Sequence, residues 1–139
     1  MNQEEQARQF RRANRKRIIH VRLTLAMMAT DLVRQLRSSQ ALDEKCIQEL
    51  VIRLADCEVD CWDVPLRMMV AKIDSTTVRG RVWALIDMIS SLADATGARW
   101  PYMTMDQRER YLGWTLATNL ESGPPHASAI LTRALAAAA

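Results

Sequence analysis

The sequence predicts an all-α protein, a single compact bundle of five or six helices, and three observations predict it. Residues that cost little in a helix (Ala, Leu, Arg, Met, Gln, Glu) recur throughout, against only four glycines and four prolines. Apolar positions repeat at spacings of three and four in segment after segment, while no run alternates with period two and no Asn-Gly or Asp-Gly hairpin signal occurs. No internal repeat, linker or composition break divides the 139 residues, so one domain over 1–139 is expected, able to remove roughly 68% of its unfolded surface from water.

Residues 1–17 are polar and helix-compatible and are expected to form a basic, protruding helical arm. From Ile18 an apolar face runs through Val21, Leu25, Met28, Leu32 and Leu36, widened by Ile19, Ala26, Ala29 and Val33. The arm and this face therefore read as one helix ending near Ser38-Ser39. Asp43 suits the N-cap of a second helix reaching about Cys61, with Cys46, Ile47, Leu50, Leu54 and Cys57 on one side. Asp63 and Pro65 restart a short helix carrying Leu66, Met69, Val70 and Ile73, because proline is tolerated in a first turn. Ser75 or Thr76 caps the most regular helix, whose face Val78, Val82, Leu85, Ile86, Ile89, Leu92 and Ala93 runs on to a stop at Gly97. After a Trp100-Pro101 turn, Thr104 and Gln107 form a capping box for a helix with Tyr111, Leu112, Leu116 and Leu120. Gly123-Pro124-Pro125 ends it, and the alanine-rich stretch from His126, with Ile130, Leu131 and Leu135, predicts a last helix.

Net charge is +3, from 19 Lys+Arg and 16 Asp+Glu, and it is unevenly placed. Residues 1–22 hold seven basic and two acidic side chains, which leaves twelve against fourteen elsewhere. Arginine outnumbers lysine sixteen to three; its planar fork suits phosphate and carboxylate, although GC-rich codon usage gives the same ratio. No stretch approaches the roughly 18 to 20 apolar residues of a membrane span, and Leu23 to Ala29, barely long enough for a secretory core, is closely followed by Asp31 and by no good cleavage site. Three cysteines without framework spacing fit a reducing compartment. A soluble, cytoplasmic protein without a membrane partner is the expectation.

Phosphate-binding, dinucleotide, zinc H-E-x-x-H and nucleophile-elbow patterns are all absent, and the two histidines lie far apart, so no enzyme, cofactor or metal is expected. Cys46, Cys57 and Cys61 fall on one stripe of the second helix and read as free, buried, small apolar residues. Asp56, Glu58, Asp60 and Asp63 scatter around that helix, as solvated charges or as mates for the basic arm of another subunit.

What remains is a binding surface. Arg8, Arg11, Arg12, Arg15 and Arg17 recur at helical spacing with little acid near them. Arg22 shares the apolar sector of Ile18, Ala29 and Val33 and must pair internally or meet a partner. Of the doublets Met27-Met28 and Met68-Met69, one member each must look away from its own core, since neighbours on a helix point about 100° apart. Met27 and Met68, with the six arginines, form the expected partner-binding set. The function expected is a small regulatory or inhibitory protein that binds another protein offering an acidic or apolar groove, as a homodimer. The alternative is nucleic-acid binding by the same basic helix.

Two short patterns bear on that alternative. Leu92 to Gly97, followed by Gln107, Arg108 and Arg110, echoes a helix-turn-helix, although a helix stop explains Gly97 more simply. The six residues Arg15 to His20 resemble the Arg-x4-His motif of HEPN-type helical ribonucleases. That resemblance implies metal-independent RNA cleavage at a dimer seam, with Arg15 and His20 as the matching residues.

Overall fold

A computed structural model describes residues 2–98 and 103–118, and every regular element within them is helical. The order is α1 (Gln3–Ala13), α2 (Arg15–Ser38), α3 (Glu44–Asp56), a 3-10 turn (Val59–Cys61), α4 (Asp63–Val70), α5 (Thr76–Thr96) and α6 (Met105–Thr118). α5 is the centre, packed against α1, α2, α4, α6 and the 3-10 turn, while α3 lies on α2 and α4. Phe10, Leu25, Leu36, Ile47, Leu50, Leu66, Leu85, Ile86 and Leu92 are fully buried in one continuous core. Each contributes about 1.5 to 3 kcal/mol of transfer free energy.

The expected first helix is two helices. Asn14 leaves helical geometry at φ −108°, ψ 18°, and its amide Nδ2 donates to the Phe10 carbonyl at 3.1 Å while its Oδ1 accepts from Arg17 Nη1 at 2.7 Å. A short polar side chain that hydrogen-bonds its own backbone competes with the helix ladder and breaks it. α1 then lies against the bundle: Ala7 and Phe10 are buried, so the segment is no free arm. Ile19, expected to widen the apolar stripe, is exposed on α2.

α3 stops at Asp56, five residues short of the expected Cys61. The cause is Trp62, whose buried indole Nε1 donates to the carbonyls of Leu54 at 2.9 Å and Cys57 at 3.0 Å, satisfying oxygens that a longer helix would use internally. Other ends follow the predicted chemistry. The Ser75 hydroxyl accepts from Val78 N, and Thr104 and Gln107 exchange both bonds of the capping box at 2.9 and 3.2 Å. Gly97, at φ 77°, ends α5 with Gly97 N on Asp94 O and Ala98 N on Ala93 O, a Schellman motif. Asp43 stands at the α3 N-cap without a side-chain cap bond. Ile73 lies past α4 yet is buried, beside a loop tied down by Asp74 N on Ala41 O at 2.7 Å.

No described helix is long and apolar enough to cross a membrane. The Trp100-Pro101 turn, Leu120, the Gly123-Pro124-Pro125 stop and the expected last helix lie outside the described residues, as do the side chains of Trp114 and Leu116.

Candidate functional site

The six predicted arginines divide into those that the fold engages and those that it leaves at the surface. Arg11 Nη1 donates to the Thr96 carbonyl at 2.7 Å, fastening α1 to the end of α5. Arg17 Nη1 meets Glu109 Oε2 of α6 at 2.8 Å. Arg22 binds Asp60 through two parallel bonds, Nε to Oδ1 at 3.0 Å and Nη2 to Oδ2 at 3.1 Å. Arg8 reaches only Glu4, one turn away at 3.8 Å, and both ends are exposed, which contributes little. Arg12 and Arg15, with Lys16, are exposed and have no acidic partner among the described residues. The bare positive patch is thus smaller than the run of charges implies: Arg8, Arg12, Arg15 and Lys16.

Asp60 and Asp63 overturn the reading of the acidic quartet as solvated. Both are buried, Asp60 under Arg22 and the Thr96 hydroxyl, which donates to its Oδ2 at 3.0 Å, and Asp63 beside Arg67 Nε at 3.7 Å. The mate of a basic helix is therefore in the same chain. The hydrogen bond to Asp60 holds the Arg22 guanidinium above its ordinary pKa, and the charges of Asp60 and Glu58 add to it against the cost of burial.

A second buried guanidinium escaped the sequence reading. Arg108 is 0% exposed, with Nε on the Met103 carbonyl at 3.3 Å and Nη1 on the Ala95 carbonyl at 3.4 Å. Burial pushes its pKa down, and the charge of Arg11 adds to that. It lies directly under Gly97, where a Cβ would collide with the guanidinium and come within 2.9 Å of Ala7 Cβ. Its register was a usable signal, since Arg108, Leu112 and Thr115 fall at i, i+4 and i+7 and all three are fully buried. Gly97 and Arg108, read as part of a helix-turn-helix echo, here form a packing joint.

Of the methionines, Met68 is 52% exposed and Met69 is buried, as the doublet geometry requires; Met27 and Met28 are both half-buried. Trp62 is core, while Trp83 is exposed with the Arg67 guanidinium 5.6 Å above its ring. A groove of about 560 Å3 runs between α4, α5 and α6 and presents Arg67, Asp87, Ser90, Gln107, Arg110 and Tyr111. Arg15 and His20 are both exposed on α2, about 140° apart around its axis.

The cysteines do not share a stripe. Cys46 is half-buried on α3 against the core, Cys57 follows the end of α3 in extended geometry, and Cys61 is exposed at the end of the 3-10 turn. Cys57 and Cys61 line one apolar groove of about 320 Å3 with Arg53, Val64, Pro65 and Met68. Burial pushes the Cys57 thiol pKa up, and the neighbouring Cys61 and Asp56 push it further. No family model, curated protein or solved structure matches this chain.

Proposed function

We propose that the chain is a non-catalytic regulatory or inhibitory protein that docks on another protein, steered by its basic patch and working as a homodimer. The observation that carries this reading is the residue of charge left after internal pairing. Arg17 and Arg22 find carboxylates within the fold, but Arg12, Arg15 and Lys16 stand exposed without one. Such uncompensated cations speed encounter with an acidic surface more than they add affinity. The exposed apolar side chains Val64 and Met68, one turn apart on α4, supply area for the desolvated part of a contact with the partner or a second copy.

Nucleic acid is the second reading, favoured by the same unpaired Arg12, Arg15 and Lys16, which would serve phosphates equally well. The test compares the wild-type chain with Arg12→Gln/Arg15→Gln/Lys16→Gln in capture from the native host, with and without nuclease. A protein retained after nuclease, and lost by the variant, supports the protein-binding reading. Retention that vanishes with nuclease, together with duplex binding whose log–log salt slope falls by about 1 for each neutralised cation, replaces it with the nucleic-acid reading. RNA turnover that requires His20 would overturn the non-catalytic reading altogether.

A further inference from the structure

The groove beside the docking residues Val64 and Met68 carries a further feature: three sulfur side chains, the Cys57 and Cys61 thiols and the Met68 thioether, open into one cavity. The backbone that bears the thiols is anchored from below. Cys57 O accepts from the buried Trp62 indole at 3.0 Å, which ties the first thiol to the residue next to the second. The turn between them is closed by Cys61 N on Glu58 O at 2.9 Å. Asp60, the neighbour of Cys61, is clamped by Arg22 and Thr96. Met68 is held to the opposite wall by Arg53, whose Nη1 lies 3.2 Å from Met68 Sδ, and the Cys57 thiol donates to Arg53 O at 3.2 Å. Both walls of the groove thus converge on Arg53.

Three soft donors on a fixed frame select a particular class of ligand. Among the described residues no three His, Cys, Asp or Glu side chains converge, so zinc and the harder divalent ions, which want four or more such donors, are not served. Thiolate and thioether sulfurs select Cu(I), the soft ion among the first-row metals. The geometry points to a surface Cu(I) site in which Cys57 and Cys61 bind as thiolates, Met68 completes the set, and Arg53 balances the charge. Binding releases the two thiol protons to solvent, so the cation with two thiolates carries one net negative charge beside the guanidinium. No electron is transferred. Cys61 and Met68 are exposed, which gives the ion a path in.

The test titrates the reduced, full-length chain anaerobically with Cu(I) against a coloured Cu(I) chelator. One equivalent is expected, with a thiolate-to-copper absorption band. Cys57→Ser and Cys61→Ser are each expected to weaken competition by about 100-fold or more, and Met68→Leu by about 10-fold, bracketing the range known for supporting residues of metal sites. Cys46→Ser, at the start of α3 and outside the lining of this groove, leaves the titration unchanged. Circular dichroism of each variant confirms that the fold survives. Competition that persists in Cys57→Ser/Cys61→Ser, that is lost in Cys46→Ser, or that is no stronger than that of a simple monothiol overturns the assignment.

Discussion

Asp60 and Arg22 form a pair whose two halves sit in different surroundings, and that difference predicts unequal costs. The Asp60 carboxylate is 5% exposed and the Arg22 side chain 37%. Arg22→Ala strands a buried carboxylate that has lost two N–H donors. Such a loss costs about 3 to 5 kcal/mol in a fully buried pair, and partial access of water to Arg22 lowers it to roughly 2 to 3 kcal/mol. Asp60→Ala lets the guanidinium turn to solvent, so the remaining loss is the bond from Thr96 and a small void, about 1 to 2 kcal/mol. The double variant then resembles Asp60→Ala, so the coupling equals the cost of Arg22→Ala alone, about 2 to 3 kcal/mol. Urea unfolding followed by far-ultraviolet circular dichroism and by intrinsic tryptophan fluorescence gives these values from midpoints at constant slope. The reasoning fails if Arg22→Ala is the milder single change, or if the coupling falls below about 0.5 kcal/mol.

Gly97→Ala is expected to cost roughly 2 to 4 kcal/mol, combining a left-handed backbone with a methyl driven into Arg108 and Ala7; thermal unfolding of the variant measures it. Ser75→Ala should cost about 1 kcal/mol while Asp43→Ala stays within about 0.5 kcal/mol, because only Ser75 makes its cap bond, and equal losses would show that the distinction is wrong. The raised Cys57 thiol means that the folded chain holds this proton to higher pH than the unfolded one. The resulting stability is present in full below the unfolded thiol's range and is lost as pH climbs through the folded value, so denaturation midpoints above neutrality should fall less steeply in Cys57→Ser.

The features legible in the sequence are those written within one turn of helix. The Ser75 cap, the Thr104–Gln107 box and the Gly97 stop need only neighbours three or four residues away, and the core faces of α2 and α5 follow from periodicity alone. Met68 facing outward follows from the angle between adjacent residues. The misplaced features depend on contacts that periodicity does not encode. Asn14 breaks the first helix because its amide finds Phe10 and Arg17 together. α3 ends where an indole eight residues beyond its Leu54 acceptor takes the carbonyls. Arg17 and Arg22 are consumed by Glu109 and Asp60, 92 and 38 residues on, so a run of positive charge overstates the patch that faces solvent. The same long-range pairing explains why a cluster of acids looked solvated.

The stop at the end of α5 governs more than the length of one helix. With no side chain at Gly97, the opening helix and the cation of α6 approach each other across it, and Arg11 ties α1 to Thr96 just before it. Peeling α1 away would therefore admit water to a sequestered guanidinium, so the two outermost described helices should loosen as a single cooperative unit. With α1 sealing α6 in this way, residues Gln3–Ala13 are not an independently expendable arm, however strongly the tally of charges in that stretch suggests one.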